Sequence, residues 1–389
     1  MSALADRLAP HYVRFGVTER LLLTGHSHQA WPDAALDGVL EAFDDAAELV
    51  DEKWARAFAA ADAVRAGFRV WLDDEDDAAL ALGANTHELV VRMLSSLDLR
   101  ARPRIVTTGG EFHTLRRQLA RLGEVPGVEV VVVDPEPADT LASRLADATD
   151  EGTAAVFVSA VMFGTGAVVA DLGSLARACT RVGSELVVDA YHALGPTRFS
   201  VRDDGLQEAW VVGGGYKYLQ LGEGCCFLRI PPHAAAYRPV ITGWYAEFGD
   251  LAAERPNHVA YARDDPAARF AGSTYDPTSH YRAVRVFEFF HQQGLDRDTL
   301  PPEYARQVHH LASGVKSLNL RDVERAASEA GFLALRTPHA AAYQQSLLHD
   351  HGVLTDCRGD VLRLGPAPYL TDAQLDAAVA ALGAVAADR

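Results

Sequence analysis

Lysine is scarce in this chain. Of 36 basic residues among 389, only Lys53, Lys217 and Lys316 are lysines. Basic runs are missing too, and 53 acidic residues bring the formal net charge to −17, which argues against nucleic acid or an anionic membrane as the principal partner. No charge-free apolar stretch approaches the roughly 18 residues that a membrane span needs, and the opening MSALADRLAPHYVRF lacks the apolar core of a signal peptide. The four cysteines, at 179, 225, 226 and 357, form no CxxC and no paired metal-ligand spacing. These absences describe a soluble, cytoplasmic protein with no disulfide framework and no metal site. In a chain rich in Arg and Ala, the shortage of lysine reads first as coding bias in a GC-rich genome.

What is present is an alternation. Residues 32–71 carry apolar side chains at helical spacing, as one long helix or two, and end in the acidic run DDEDD at 73–77, expected to be a solvated turn. The runs AALALGA, PRIVTTGG, VEVVVVD, TAAVFVSAV, SELVVDA, AWVVGGG and CCFLRIP then read as strands, most of them separated by helical segments. They are continuously apolar, the pattern of strands covered on both faces, and predict a mostly parallel sheet wound with helices. ARDDPAARFAGSTYDPT reads as a polar loop; long helices over SHYRAVRVFEFFHQQG and 304–318, short strands GFLALRT and VLRLGP, and a closing helix suggest a smaller α+β domain. The expected organisation is an N-terminal segment 1–28 packing on the small domain and the site mouth, a large domain 29–262, and an interdomain loop, long helix and small domain over 263–389.

In such a sheet, ligands bind beyond the carboxyl ends of the strands. Three strand ends carry chemistry. Asp189 closes the apolar run LVVD, where a carboxylate needs a cationic or hydrogen-bonding partner or serves as a turn cap. Lys217 follows three glycines in GGGYKYLQLGEG, 28 residues after Asp189, and suits an amine held in a low-dielectric cleft for Schiff-base chemistry; the P-loop spacing is absent. GANTHELV opens a helix whose first amides, at Asn85, Thr86 and His87, suit a phosphate; Asn85 and Glu88 also fit a capping box. A phosphate, a carbonyl for a lysine and a ring nitrogen for an acid together describe pyridoxal 5′-phosphate.

The sequence resembles the class V aminotransferase superfamily of fold-type I pyridoxal-phosphate enzymes, and within it kynureninases. LTGHSHQAWP, FVSAVMFGTG, VVDAYHALG, GGGYKYLQLGEG, TGWY and VLRLGPAPYLT carry the likeness in matching order along nearly the whole chain. The resemblance implies an α/β, fold-type I transferase-like fold: a large domain with a mostly parallel sheet, plus a smaller α+β C-terminal domain. It implies that Lys217 holds the cofactor's carbonyl and moves the α-proton, Asp189 pairs with the pyridine nitrogen, and Tyr216 reaches the phosphate and joins proton transfer. His192 helps fix the acid or the phosphate. Asn85, Thr86, Ser159 and Trp244 fall at phosphate-contacting positions, and Phe112 falls where an aromatic ring stacks on the cofactor, with His113 beside it. Arg363 corresponds to the arginine that grips the substrate α-carboxylate in a bidentate manner. Ser273 and Thr274, in the GST at 272–274, resemble a loop that a second subunit inserts toward the phosphate, implying a homodimer with a shared site.

Departures cluster on the substrate and ring faces. Leu115 stands where kynureninases place an Asp, Tyr191 where a small residue supports the ring, and Asp276 where an asparagine contacts the substrate's aryl side. His26 and His28 replace Asn and Leu near the substrate mouth. The implied activity is hydrolysis of the Cβ–Cγ bond of kynurenine or another γ-oxo amino acid. The alternatives are a class V aminotransferase, a β-lyase or racemase on another amino acid, or a non-catalytic dimeric scaffold. Desulfurase chemistry fits less well, because Cys357 lies only six residues before Arg363.

Overall fold

The computed structural model describes residues 3–74, 78–250, 265–325 and 330–387. After helix α1 (Ala3–Leu8) and a short strand β1 (Leu21–Leu22), the helical run breaks into α2 (Ala34–Leu49) and α3 (Lys53–Leu72). The break falls at Val50, a β-branched residue held at φ 50°, where a right-handed helix cannot continue.

Seven strands follow: β2 (Ala79–Gly83), β3 (Arg104–Thr108), β4 (Glu129–Val133), β5 (Thr153–Ser159), β6 (Glu185–Asp189), β7 (Trp210–Gly214) and β8 (Cys226–Ile230). They form one sheet in the order β2-β8-β7-β6-β5-β3-β4. Strands β7, β6, β5, β3 and β4 pair in parallel, and β8 is reversed between β7 and β2. Helices α4 (Thr86–Leu94), α5 (His113–Leu122), α6 (Leu141–Asp147) and α7 (Leu172–Val182) make the crossovers. Strands β5, β7 and β8 are buried at every position, as their unbroken apolar runs predict. β4 has the same kind of run but lies at the sheet edge, leaving Val132 61% exposed.

Downstream come α8 (Pro266–Ala271), α9 (Thr278–Gln292) and α10 (Leu300–Ser317), then β9 (Glu324–Arg325), β10 (Leu333–Arg336), α11 (Ala340–His351), β11 (Val353–Leu354), β12 (Asp356–Arg358), β13 (Val361–Leu364) and α12 (Asp372–Ala387). β12, β13, β10 and β9 make a small antiparallel sheet, while β11 pairs in parallel with β1, tying the N-terminal segment to the C-terminal part. The architecture is α/β, a mostly parallel large sheet joined to an α+β C-terminal part. No helix among the described residues is long and apolar enough to cross a membrane.

Two readings of the sequence need correction. The acidic run is not a solvated turn at its start: Asp74 is fully buried in a paired contact with Arg229, and Asp73 accepts from Ser200 and Arg202 and pairs with Arg297. A buried guanidinium demands such a partner, and charge patterning alone does not show it. Glu75, Asp76 and Asp77 lie outside the described residues. Within the polar segment read as a loop, Pro266–Ala271 is helical, because Asp265 caps it by accepting from the Ala268 amide and proline occupies its first turn. The domain boundary expected at 262/263 lies outside the described residues.

Candidate active site

The carboxyl ends of β2, β3, β5, β6 and β7 open into a cavity of about 640 Å³. At its centre is Lys217, delivered by the loop after β7. A Cβ on Gly215 would run into Leu221, so only glycine lets this loop fold back so tightly. From the N-terminal segment, Tyr12 donates a hydrogen bond to the Gln220 side chain, bracing the turn beyond the lysine, where Gln220 sits at φ 60°.

The Lys217 amine is enclosed by aromatic rings, 4.6 Å from the Tyr191 centroid and 5.5 Å from those of Phe112 and Tyr216. Burial lowers its pKa to about 7, against the opposing pull of Asp189. Its Nζ lies 2.8 Å from His192 Nε2. Burial and the neighbouring Lys217 hold that imidazole well below its usual pKa, leaving a neutral ring, and its buried Nδ1 makes no hydrogen bond. Asp189 turns its carboxylate into the cavity; burial raises its pKa, and it accepts from the Tyr191 amide at 2.8 Å. It thus caps the strand-end turn and faces the cavity at once.

Helix α4 points its N-terminus into the same space. Asn85 is its cap, its side-chain oxygen accepting from the Glu88 amide at 2.9 Å while its amide donates to Glu88 Oε1 at 3.2 Å. The first-turn amides of Thr86 and His87 have no acceptor within the helix and line the cavity beside Asn85, positioned for an anion.

Ten residues singled out in the sequence therefore line one cavity: Asn85, Thr86, His87, Phe112, Ser159, Asp189, Tyr191, His192, Tyr216 and Lys217. His113 instead packs its ring against Phe163, 5.3 Å between centroids. Tyr191 occupies part of the wall, its ring tilted against Tyr216 at 4.9 Å. Leu115 lies on the buried face of α5. Six others do not line it. Trp244 donates to Thr274 Oγ1 at 3.1 Å in an exposed cluster with Ser273 beside it. Asp276 accepts from the Thr278 amide at 2.9 Å and so braces the start of α9. Arg363 lies next door and reaches the cavity wall through the Phe163 carbonyl, which accepts from its Nη1 at 2.6 Å, and His26 sits beyond it, 3.5 Å from Asp356.

Sequence reading missed two carboxylates. Glu111, on the turn before Phe112, is buried and accepts from the Ser159 amide at 3.0 Å, the Ser159 hydroxyl at 2.6 Å and the Thr108 hydroxyl at 3.0 Å. Burial raises its pKa to about 7. Its only signal was position, between a glycine pair and an aromatic residue. Asp356, on β12, sits directly across from Arg363 on β13 and is paired with it. No local pattern marks that pairing.

A desolvated amine, a cavity-facing carboxylate and a free helix N-terminus, gathered at one set of strand ends, suit a ring with a carbonyl, a basic nitrogen and a phosphate. The fold is shared with solved pyridoxal-phosphate and desulfurase structures. The structure superimposes on a lysine-to-alanine mutant of C-DES with glycine covalently linked to its PLP cofactor, at a TM-score of 0.84 and 15% identity, over 97% of this chain and 98% of that one. It also matches the cysteine desulfurase of Thermococcus onnurineus, with a TM-score of 0.79, 16% identity and 99% and 98% coverage. In sequence the chain is similar to the kynureninase of Xanthomonas campestris, 27% identical over 331 residues, which is 78% of this chain and 75% of that protein. It is 28% identical over 214 residues to an uncharacterised aminotransferase of Bacillus subtilis, covering 54% of each chain. No protein-family model matches.

Proposed function

We propose that this chain is a pyridoxal 5′-phosphate-dependent enzyme acting on an α-amino acid, with kynureninase-like hydrolysis of a Cβ–Cγ bond as its reaction. The observation that carries this reading is the Lys217 amine, desolvated to a pKa of about 7 in a cavity it shares with the Asp189 carboxylate. The first turn of α4 would hold the phosphate; Asp189 would face the ring nitrogen, and Phe112 the ring, while Ser159 gives both its donors to Glu111. The bound cofactor would supply an electron sink for bonds at the substrate's Cα.

The chain's own groups supply the rest. With a pKa of about 7, Lys217 is in good part neutral near neutral pH and can accept a proton from Cα. His192 Nε2, 2.8 Å away, stays neutral and is placed to accept a hydrogen bond from the amine, which orients it. Burial raises the Tyr216 phenol to about 12, so it stays protonated and acts as a donor. Phe112, Tyr191 and Phe163 keep the amine's surroundings apolar and exclude water.

The same residues serve transamination, β-elimination or racemisation. The similarity to an aminotransferase and the shared fold with a cystine C-S lyase favour this as the second reading. Desulfurase chemistry is less well supported: Cys357 sits on a paired strand and its thiol donates to Gln344 Oε1 at 3.0 Å, whereas that reaction wants a mobile cysteine. We place the protein in the cytoplasm, in keeping with its four free cysteines, and as a homodimer in which the exposed Trp244, Ser273 and Thr274 meet the second copy's site.

Protein purified with pyridoxal 5′-phosphate should keep a cofactor absorption band through dialysis, and Lys217→Ala should lose it. Mixing the loaded protein with L-kynurenine should release anthranilate and alanine. A loaded protein with no turnover overturns the hydrolase, and a band that shifts with other amino acids points to the second reading. No Lys217-dependent band at all leaves a non-catalytic scaffold.

A further inference from the structure

The arginine assigned to the substrate carboxylate already holds one. Arg363 Nη2 contacts Asp356 Oδ2, its partner in direct register across β12 and β13, and only 4% of the arginine side chain is exposed. Nη1 donates to the Phe163 carbonyl, while the buried Nε–H has no hydrogen-bond partner. That leaves the guanidinium one buried donor that an incoming carboxylate can meet.

Asp356 also has somewhere to go. Its Oδ1 accepts from Arg358 Nη1 at 2.7 Å. Its Oδ2 lies 3.5 Å from His26 Nε2, and neither nitrogen of that buried ring makes a hydrogen bond. The His26 ring is stacked on Phe332 with centroids 4.7 Å apart. A Cβ on Gly365 would collide with it, so the backbone there is shaped to admit the imidazole. With His26 neutral, Arg358, Arg363 and Asp356 sum to one positive charge, matched by a single incoming carboxylate.

We propose that Asp356 is a specificity-determining residue: it fills Arg363 with the chain's own carboxylate, so that a substrate carboxylate enters by exchange while Asp356 stays with Arg358 and His26. This inference rests on the assignment of Lys217 and Arg363 to a pyridoxal-phosphate site made above. Asp356 then sets a threshold that only an anionic, bidentate group passes, and a neutral amide in the same place gains nothing against it.

The test is a titration of pyridoxal-phosphate-loaded protein with L-alanine, read by the change in cofactor absorbance. Asp356→Asn and the smaller Asp356→Ser should half-saturate at an L-alanine concentration lower by roughly tenfold or more, the scale of one charge-assisted hydrogen bond. The response to L-alaninamide should not change. A higher half-saturation in the variants, no response in any of the proteins, or loss of the cofactor band in both variants overturns the inference and makes Asp356 a strut. A wild-type protein with no Lys217-dependent band strikes the assignment of the site instead.

Discussion

At the scale of single residues, desolvation dominates the site. It lowers one amine, raises two carboxyls and keeps two imidazoles neutral, all within reach of one cavity. Glu111 makes this measurable. Its pKa rises from 4.5 to about 7 on folding, so between those values the folded protein binds the extra proton and stability falls as pH rises. Urea unfolding followed across that window should show this slope in the wild type and a flatter one in Glu111→Gln. Identical slopes would mean that Glu111 ionises freely. Asp356 has the opposite sign. Burial alone would raise it, but His26 and Arg363 outweigh burial and hold its carboxyl at about 2, so its contribution is present above the ordinary carboxyl range and is lost as pH falls toward 2.

At the scale of elements, the sheet was legible because an interior strand advertises itself as an apolar run, and the lysine loop because glycines and tyrosines bracket Lys217. What stayed hidden depends on neighbours distant in sequence. β4 reads like β5 yet lies at an edge, since an edge is defined by the strand that fails to arrive. Asp74 reads as one more acid in an acidic run, although β8 brings Arg229 against it with both side chains fully buried. Asp74→Ala would leave that guanidinium without its carboxylate, close to the carbonyls of Gln207 and Ala209, at a cost of about 3–5 kcal/mol. Chemical denaturation should read a loss of this size, whereas a loss under about 1 kcal/mol, usual for exposed pairs, would show that water reaches the site. The residues of the cavity wall were legible because they stand at strand ends. The Arg363–Asp356 pair was half legible, the arginine from its motif and the acid only from strand register.

At the scale of the whole molecule, Trp244, Ser273 and Thr274 gather on the surface away from their own cavity, and α2 leaves Phe43 73% and Leu40 52% exposed. The proposed homodimer would account for both. Sedimentation should give a particle twice the 41.9 kDa of one chain, and Ser273→Arg should weaken cofactor retention without unfolding the protein. A monomer that retains the cofactor would sink the shared site. The tie between β1 and β11 has a consequence in time as well as space. Every residue lining the cavity has been synthesised once Cys226 is added, whereas Asp356 and Arg363 follow on the order of ten seconds later. The nascent chain thus carries every residue of the cavity wall well before β11 exists, and its earliest segment must wait for one of its last before the two can clasp.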